Sequence, residues 1–199
     1  MNFLAHLYLS QENTNIMIGN FIADHIRGNK FTHFDAEIQE GVFLHRQIDT
    51  FTDAHKIVRR SKRRLNIQYG HYGGIIIDLF YDHFLAKNWD SYSAIPLDVY
   101  AHSVYKLLED HKVILPKKTL EFLPFMKEHD LLYNYQFLDG MQSVLNGMNK
   151  RTKGKSKMNL ALEDLKFLYT EFEQDFTLFF LDLQEFTSNR IIQINKIIT

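Results

Sequence analysis

Cysteine is absent from all 199 residues, which excludes disulfides and thiolate ligands, so any metal must be held by His, Asp or Glu. The absence is compatible with a reducing cytoplasm, the compartment expected for this chain. Only three prolines and nine glycines interrupt the sequence. Long unbroken segments of that kind favour helices over a many-turned β-sandwich. No run approaches the roughly 18 apolar residues that cross a bilayer. The opening Met1 to Leu9 is apolar but short, carries His6 and lacks a basic leader, so it makes a poor signal peptide. No repeat, low-complexity tract or linker divides the chain, and one domain spanning 1–199 is expected.

What is present supports a packed core: hydrophobic residues make up 45%, with 17 Phe and 10 Tyr. The net charge of -1 hides a strong asymmetry, because ten of the 23 Lys and Arg residues fall in two short windows. One window holds Arg59, Arg60, Lys62, Arg63 and Arg64; the other holds Lys150, Arg151, Lys153, Lys155 and Lys157.

The pattern predicts an all-α fold, a helical bundle. Helices are expected over Asn15 to Arg27, stopped by Gly28-Asn29, then Asp35 to Phe51, Ala54 to Leu65, and Ile75 to Lys87. Pro96 fits the first turn of a helix reaching Asp110, and Pro116 the start of another, which Pro124 either kinks or replaces with a new one. Leu131 to Met148 reads as one helix and Asn149 to Lys157 as a basic connection. Asn159 to Asn189 reads as one long helix on the spacing of its Leu and Phe residues. Ile75-Ile76-Ile77 is a weak strand signal that runs into a helix-like pattern.

Two of these helices carry acids four residues apart among bulky apolar neighbours: His45, Asp49 and Asp53 on one, Asp78, Asp82 and His83 on the other. At about 100° per residue, Asp49 lies near 40° from His45 and Asp53 near 80°. That acidic edge borders the apolar arc of Leu44 and Ile48. Carboxylates so placed are costly unless a cation, an arginine or a metal compensates them. Facing helices can gather such side chains around an ion at their seam. His6 and Asp24, each solitary among apolar residues, complete the candidate set.

Structural readings stand beside each of these. A lone His6 or His83 is more often a hydrogen-bonded core histidine. Asp53 fits an N-cap for the basic helix, Arg46 a structural partner for Asp49 or Asp78, and Asp78 a cap near the glycines. Neighbours on a helix diverge by about 100°, so Asp82 and His83 reach one ion only from the side, or one of them supports the other.

Several stretches together resemble the acyl carrier protein phosphodiesterase family. They are Asn2-Phe3-Leu4-Ala5-His6-Leu7, Gly19-Asn20-Phe21-Ile22-Ala23-Asp24 with Gly28, and Gly41 through Asp49 with Thr52-Asp53. Asp78 through Leu85 with Trp89, and Val144 through Met148 with Arg151, complete the pattern. The order and spacing hold over most of the chain; the 116–130 region and the C-terminal helix contribute little.

The resemblance implies a helical fold distantly similar to HD-domain phosphohydrolases, although the order here is Asp82-His83 rather than His-Asp. It implies removal of 4′-phosphopantetheine from holo-acyl carrier protein, with a divalent cation, manganese first and magnesium, iron or zinc as alternatives. Together with the helix argument it gives His6, Asp24, His45, Asp49 and Asp82 as ligands. Asp24, Arg46 and His83 are the catalytic candidates, and Asn20, Asp53 and Asp78 the supports. Arg46 would neutralise charge at phosphorus, Arg151 would reach phosphate, and the cluster from Arg59 to Arg64 would dock the acidic carrier protein. The alternatives are an HD-like phosphohydrolase acting on a nucleotide or other small phosphoester and, ranked last, a non-catalytic helical module. Nucleic-acid binding is not expected, since the net charge is slightly negative and no nucleic-acid module is recognisable.

Overall fold

A computed structural model describes residues 1–65 and 67–198. Among them are eleven α-helices, several short 3-10 turns and no strand. The Ile75-Ile76-Ile77 triplet lies in helix, where burial of Ile76 and Ile77 overrides its β-branched signal.

The first helix, α1 (Phe3–Leu9), was not anticipated, because seven residues are too few to show a period. Leu4, Ala5, His6, Leu7 and Leu9 are all buried, so tertiary packing rather than propensity holds it. Its free N–H groups are met from across the fold: Asn2 N and Leu4 N donate to Asp82 at 3.1 and 2.7 Å.

Helix α2 (Thr14–Ile22) is capped by Asn13, whose side chain accepts from the Asn15 and Ile16 amides. It ends earlier than the sequence suggests and passes into a 3-10 turn, Ala23–His25. The chain then turns at Gly28, whose φ of +56° suits glycine. Helix α3 (Ala36–Ala54) carries His45, Asp49 and Asp53.

Two glycines set the spacing of α2 and α3. A Cβ on Gly19 would stand 2.0 Å from the Ile38 carbonyl oxygen, and one on Gly41 2.2 Å from that of Ile16. The helices therefore cross almost backbone to backbone.

Helix α4 (Lys56–Arg64) follows at once. Its cap is His55, which accepts from Ile57 N at 3.4 Å, and not Asp53, which lies inside α3. Helix α5 (Gly73–Lys87) runs through the interior with Ile76, Ile77 and every residue from Leu79 to Ala86 buried. Helix α11 (Tyr169–Ile198) lays Phe172, Phe176, Phe179 and Phe180 into the same core and packs on α1, α3, α4 and α5.

Between α5 and α11 lie α6 (Leu97–Asp110), α7 (Lys117–Glu128), α8 (Leu131–Asn134), α9 (Leu138–Arg151) and α10 (Ala161–Phe167). Pro96 and Pro116 stand just outside α6 and α7, at their N-cap positions, and α7 runs on through Pro124. Two expected single helices are broken. The first opens between Asn134 and Leu138, where α9 folds back so closely that a Cβ on Gly140 would lie 2.1 Å from the Asn134 carbonyl. The second opens at Leu168, whose φ and ψ of -119° and 36° leave the helix region.

Candidate metal centre

Side chains of three successive helices, α1, α2 and α3, meet at one place. His6 on α1 and His45 on α3 stack face to face, with ring centroids 3.9 Å apart and 18° between planes. Both are buried, at 3% and 5% exposure. Asn20 on α2, fully buried, lies against both rings. Its amide nitrogen donates to the His6 carbonyl (2.8 Å) and to Ser10 Oγ (2.9 Å), which fixes Oδ1 as the atom facing the imidazoles.

His6 Nδ1–H donates to that Oδ1 at 2.8 Å, and His45 Nδ1–H donates to the Asn20 backbone carbonyl at 2.8 Å, with Oδ1 at 3.1 Å. Both imidazoles thereby keep their Nδ1 protons, with Nε2 turned the other way. Oriented imidazoles of this kind are what metal ligation requires.

The Nε2 atoms face carboxylates. Asp49, one turn after His45, places Oδ1 3.2 Å from His6 Nε2 and Oδ2 3.2 Å from His45 Nε2. Asp24, in the 3-10 turn after α2, brings Oδ1 to 3.3 Å from His45 Nε2. Donor atoms of His6, His45 and Asp49 all lie within 4.8 Å of one another.

The electrostatics of the two histidines diverge. Burial, aided by His45, lowers the His6 pKa to about 4, so its ring is neutral at neutral pH. Burial also works against a charge on His45, but hydrogen bonds and attraction from Asp24 and Asp49 outweigh it and raise that pKa to about 9. Burial opposes ionisation of Asp49 and Asp24 too; the histidines overcome it, and both carboxyls titrate below their usual range.

His6 Nε2 carries the test of whether a cation fits. It is buried, makes no hydrogen bond among the described residues, and as a neutral nitrogen presents a lone pair to a carboxylate oxygen. Two acceptors facing each other at 3.2 Å are a repulsive pair that a cation between them would relieve. Nitrogen and oxygen donors without thiolate suit a divalent ion.

His45, Asp49 and Asp24 of this cluster line a cavity of about 510 Å³. Aromatic and aliphatic side chains, among them Phe3, Ile75, Phe122, Phe125 and Leu131, line the rest, and Asp53, Asp78 and Arg151 lie on its border.

A family model described as acyl carrier protein phosphodiesterase matches residues 1–183. The chain belongs to the acyl carrier protein phosphodiesterase family. A protein of that name from Photorhabdus laumondii is 30% identical over 191 residues, covering 96% of each chain. Namesakes from Salmonella paratyphi A and Salmonella agona are 32% identical over 185 residues, 90% of this chain and 94% of theirs. No solved structure matches.

Within this family member, the structure brings together His6, Asp24, His45, Asp49 and Asn20, and places the other candidates elsewhere. Asp82 is fully buried on α5 and spends both oxygens on the N–H groups of Asn2 and Leu4. It stands outside the His6, His45 and Asp49 group, a correction to its expected place among the ligands. His83 is a core histidine with both nitrogens satisfied, Nδ1 by the Tyr135 carbonyl and Nε2 by the Tyr169 hydroxyl, each at 2.7 Å. Burial lowers its pKa, and it does not border the cavity.

Arg46 points away from the cavity, donating to the Gly28 carbonyl and lying 4.9 Å over the Phe31 ring, so it pairs with neither Asp49 nor Asp78. Asp53 pairs with Lys62 at 2.8 Å, and Asp78 with the Met1 amino nitrogen at 3.0 Å. In the basic α4 cluster, Arg60 and Arg64 converge on Asp175, which is 1% exposed and also accepts from Ser61.

Two residues of the cavity had gone without a role. Thr52 lies one turn beyond Asp49, with a buried hydroxyl that has no partner among the described residues. His25 is held by Thr119 Oγ1 at 2.7 Å. Their only sequence signal is adjacency to Asp53 and Asp24, which does not show which way a side chain faces.

Proposed function

We propose that this chain hydrolyses the phosphodiester joining 4′-phosphopantetheine to the serine of an acyl carrier protein, with a divalent cation held by His6, His45 and Asp49 and by Asp24 beside them. The observation that carries the reading is the unpartnered His6 Nε2 facing Asp49, a residue that lines the cavity, in a member of this family. The ligand set has no sulfur, and among divalent ions manganese or magnesium suits it, with iron and zinc as alternatives. Such an ion, when bound, polarises a phosphoryl oxygen and makes water more acidic at neutral pH.

The chain's own residues do the remaining work. Asn20 keeps both Nδ1 atoms protonated and turns both Nε2 atoms toward Asp49. Asp49 and Asp24, ionised throughout the neutral range, offer negative oxygens next to His45. The apolar wall excludes water from one side of the cavity and suits the aliphatic part of the pantetheine arm. Arg151, exposed and lining the cavity, would meet phosphate in this reading. In the reaction, oxygen from water attacks phosphorus, the bond to the serine oxygen breaks, and that oxygen takes up a proton.

The proposal includes distant kinship with HD-domain phosphohydrolases, supported by histidine and carboxylate groups gathered from adjoining helices. The Asp82-His83 pair contributes nothing to it, since both side chains are used in the core. No helix among the described residues is long and apolar enough to cross a membrane, and a cytoplasmic place of action fits a cysteine-free chain.

The experiment is to incubate the protein with holo-acyl carrier protein and manganese, with and without chelator, and to weigh the carrier by mass spectrometry. Loss of the phosphopantetheine mass only in the metal-containing sample is expected. An unchanged mass in both samples overturns the reading.

A further inference from the structure

The basic residues of the groove next to His25 are placed quite differently from those of α4. On α4, Arg60 and Arg64 serve Asp175, and Lys62 serves Asp53. Much of that cluster's charge is met within the chain. Arg27 and Lys30, on the segment after the Ala23–His25 turn, and Lys118 in the first turn of α7 are exposed and form no ion pair among the described residues.

These three cations line one groove of about 680 Å³. His25 lines both this groove and the metal cavity, so the two adjoin at that residue. Lys118 and Arg151 also share a second shallow surface with Phe122 and Phe125, where the one acidic side chain, Glu121, faces Lys117 at 3.8 Å. Val113 lies in the groove at 99% exposure, an apolar spot among the cations.

We propose that the groove bounded by Arg27, Lys30 and Lys118 is the docking surface for the acidic carrier protein. The inference rests on the hydrolase reading and adds to it the surface that the substrate protein occupies. Charge complementarity selects the occupant: three unpaired cations around an apolar spot suit an acidic helix with apolar side chains between its carboxylates. Adjacency at His25 sets the direction, since a carrier seated there has its serine phosphodiester next to the cavity lined by His45, Asp49, Asp24 and Arg151. Exposed charges of this kind act on association and orientation, and salt weakens them.

The test uses the full chain loaded with manganese and fluorescently labelled apo-carrier protein, which has no scissile bond, so docking is read apart from turnover. By fluorescence anisotropy, the triple variant R27E/K30E/K118E should bind about tenfold more weakly or worse. Wild-type binding should weaken as salt rises. The double variant R59E/R63E, altered at exposed α4 positions, should stay within about twofold, in keeping with charges that lie off the docking face. Circular dichroism checks that both variants fold. Wild-type affinity in the triple variant, a greater loss in the α4 variant, or no binding by the wild type overturns the proposal. Failure of the hydrolase reading shows separately, as an unchanged mass of holo-carrier protein with the wild type.

Discussion

Asn20 ties His6 to His45: its side-chain oxygen lies 2.8 Å from His6 Nδ1 and 3.1 Å from His45 Nδ1, while its backbone carbonyl accepts from His45 at 2.8 Å. One residue of α2 thus fixes the tautomers of two histidines carried by two other helices. Replacing Asn20 by Ala removes the oxygen that orients His6, leaves His45 only its backbone acceptor, and leaves the His6 carbonyl and Ser10 without their donor. Manganese affinity should fall by about 10- to 100-fold, and folding stability by about 1–3 kcal/mol. Calorimetric titration with manganese and urea denaturation measure the two effects. Wild-type affinity in this variant would show that the tautomers are set by something else.

The proton on His45 gives a second expectation. Asp24 and Asp49 raise its pKa to about 9 against the effect of burial, so the metal-free protein carries a proton on Nε2 at neutral pH. Because the folded pKa lies above the unfolded value of 6.5, the stability His45 confers is fully present below 6.5 and lost as pH rises through about 9. A cation can take the place of that proton only if it leaves. Near pH 7.5, binding should therefore release about one proton per ion, while His6, with its pKa near 4, releases none. Calorimetry in two buffers of different ionisation enthalpy reads the number. Heats that do not depend on buffer contradict this account of His45.

Asp82 should behave as a structural group. Burial raises its pKa to about 7, against the opposing pull of the chain's amino group and the amides of Asn2 and Leu4. The folded state keeps this proton between 3.8 and about 7 where the unfolded state has lost it, so this group makes stability fall with rising pH across that window. Asp82→Asn removes the titration and leaves one oxygen where two accepted amides. A cost of about 1–3 kcal/mol near pH 5 is expected, with a flatter stability profile between pH 5 and 7 by urea denaturation. Unchanged stability together with abolished manganese binding would return Asp82 to the ligand set.

These outcomes bear on what the sequence could show. His45 and Asp49 were legible because a one-turn spacing on a long helix puts them on a common face. The same spacing joins Asp78 to Asp82, yet α5 is buried on nearly every side, so the pattern could not tell a cavity-facing acid from one that caps α1. Family resemblance pointed to Asn20, and spacing could not, since its role depends on a helix crossing made possible by Gly19 and Gly41. Arg46 was misread because its partner is the Gly28 carbonyl, in a turn whose path no periodicity describes. The helix breaks at 135–137 and at Leu168 carry neither proline nor glycine, and tertiary packing alone makes them.

The most direct test of the central claim is manganese binding to Asp49→Asn, followed by electron paramagnetic resonance. Asp49 is 45% exposed, so the change should leave the helical circular dichroism intact. It removes the carboxylate that faces both Nε2 atoms. The account predicts that affinity falls at least about tenfold from the wild-type value. Wild-type affinity in a folded Asp49→Asn protein would contradict a metal centre built on His6, His45 and Asp49.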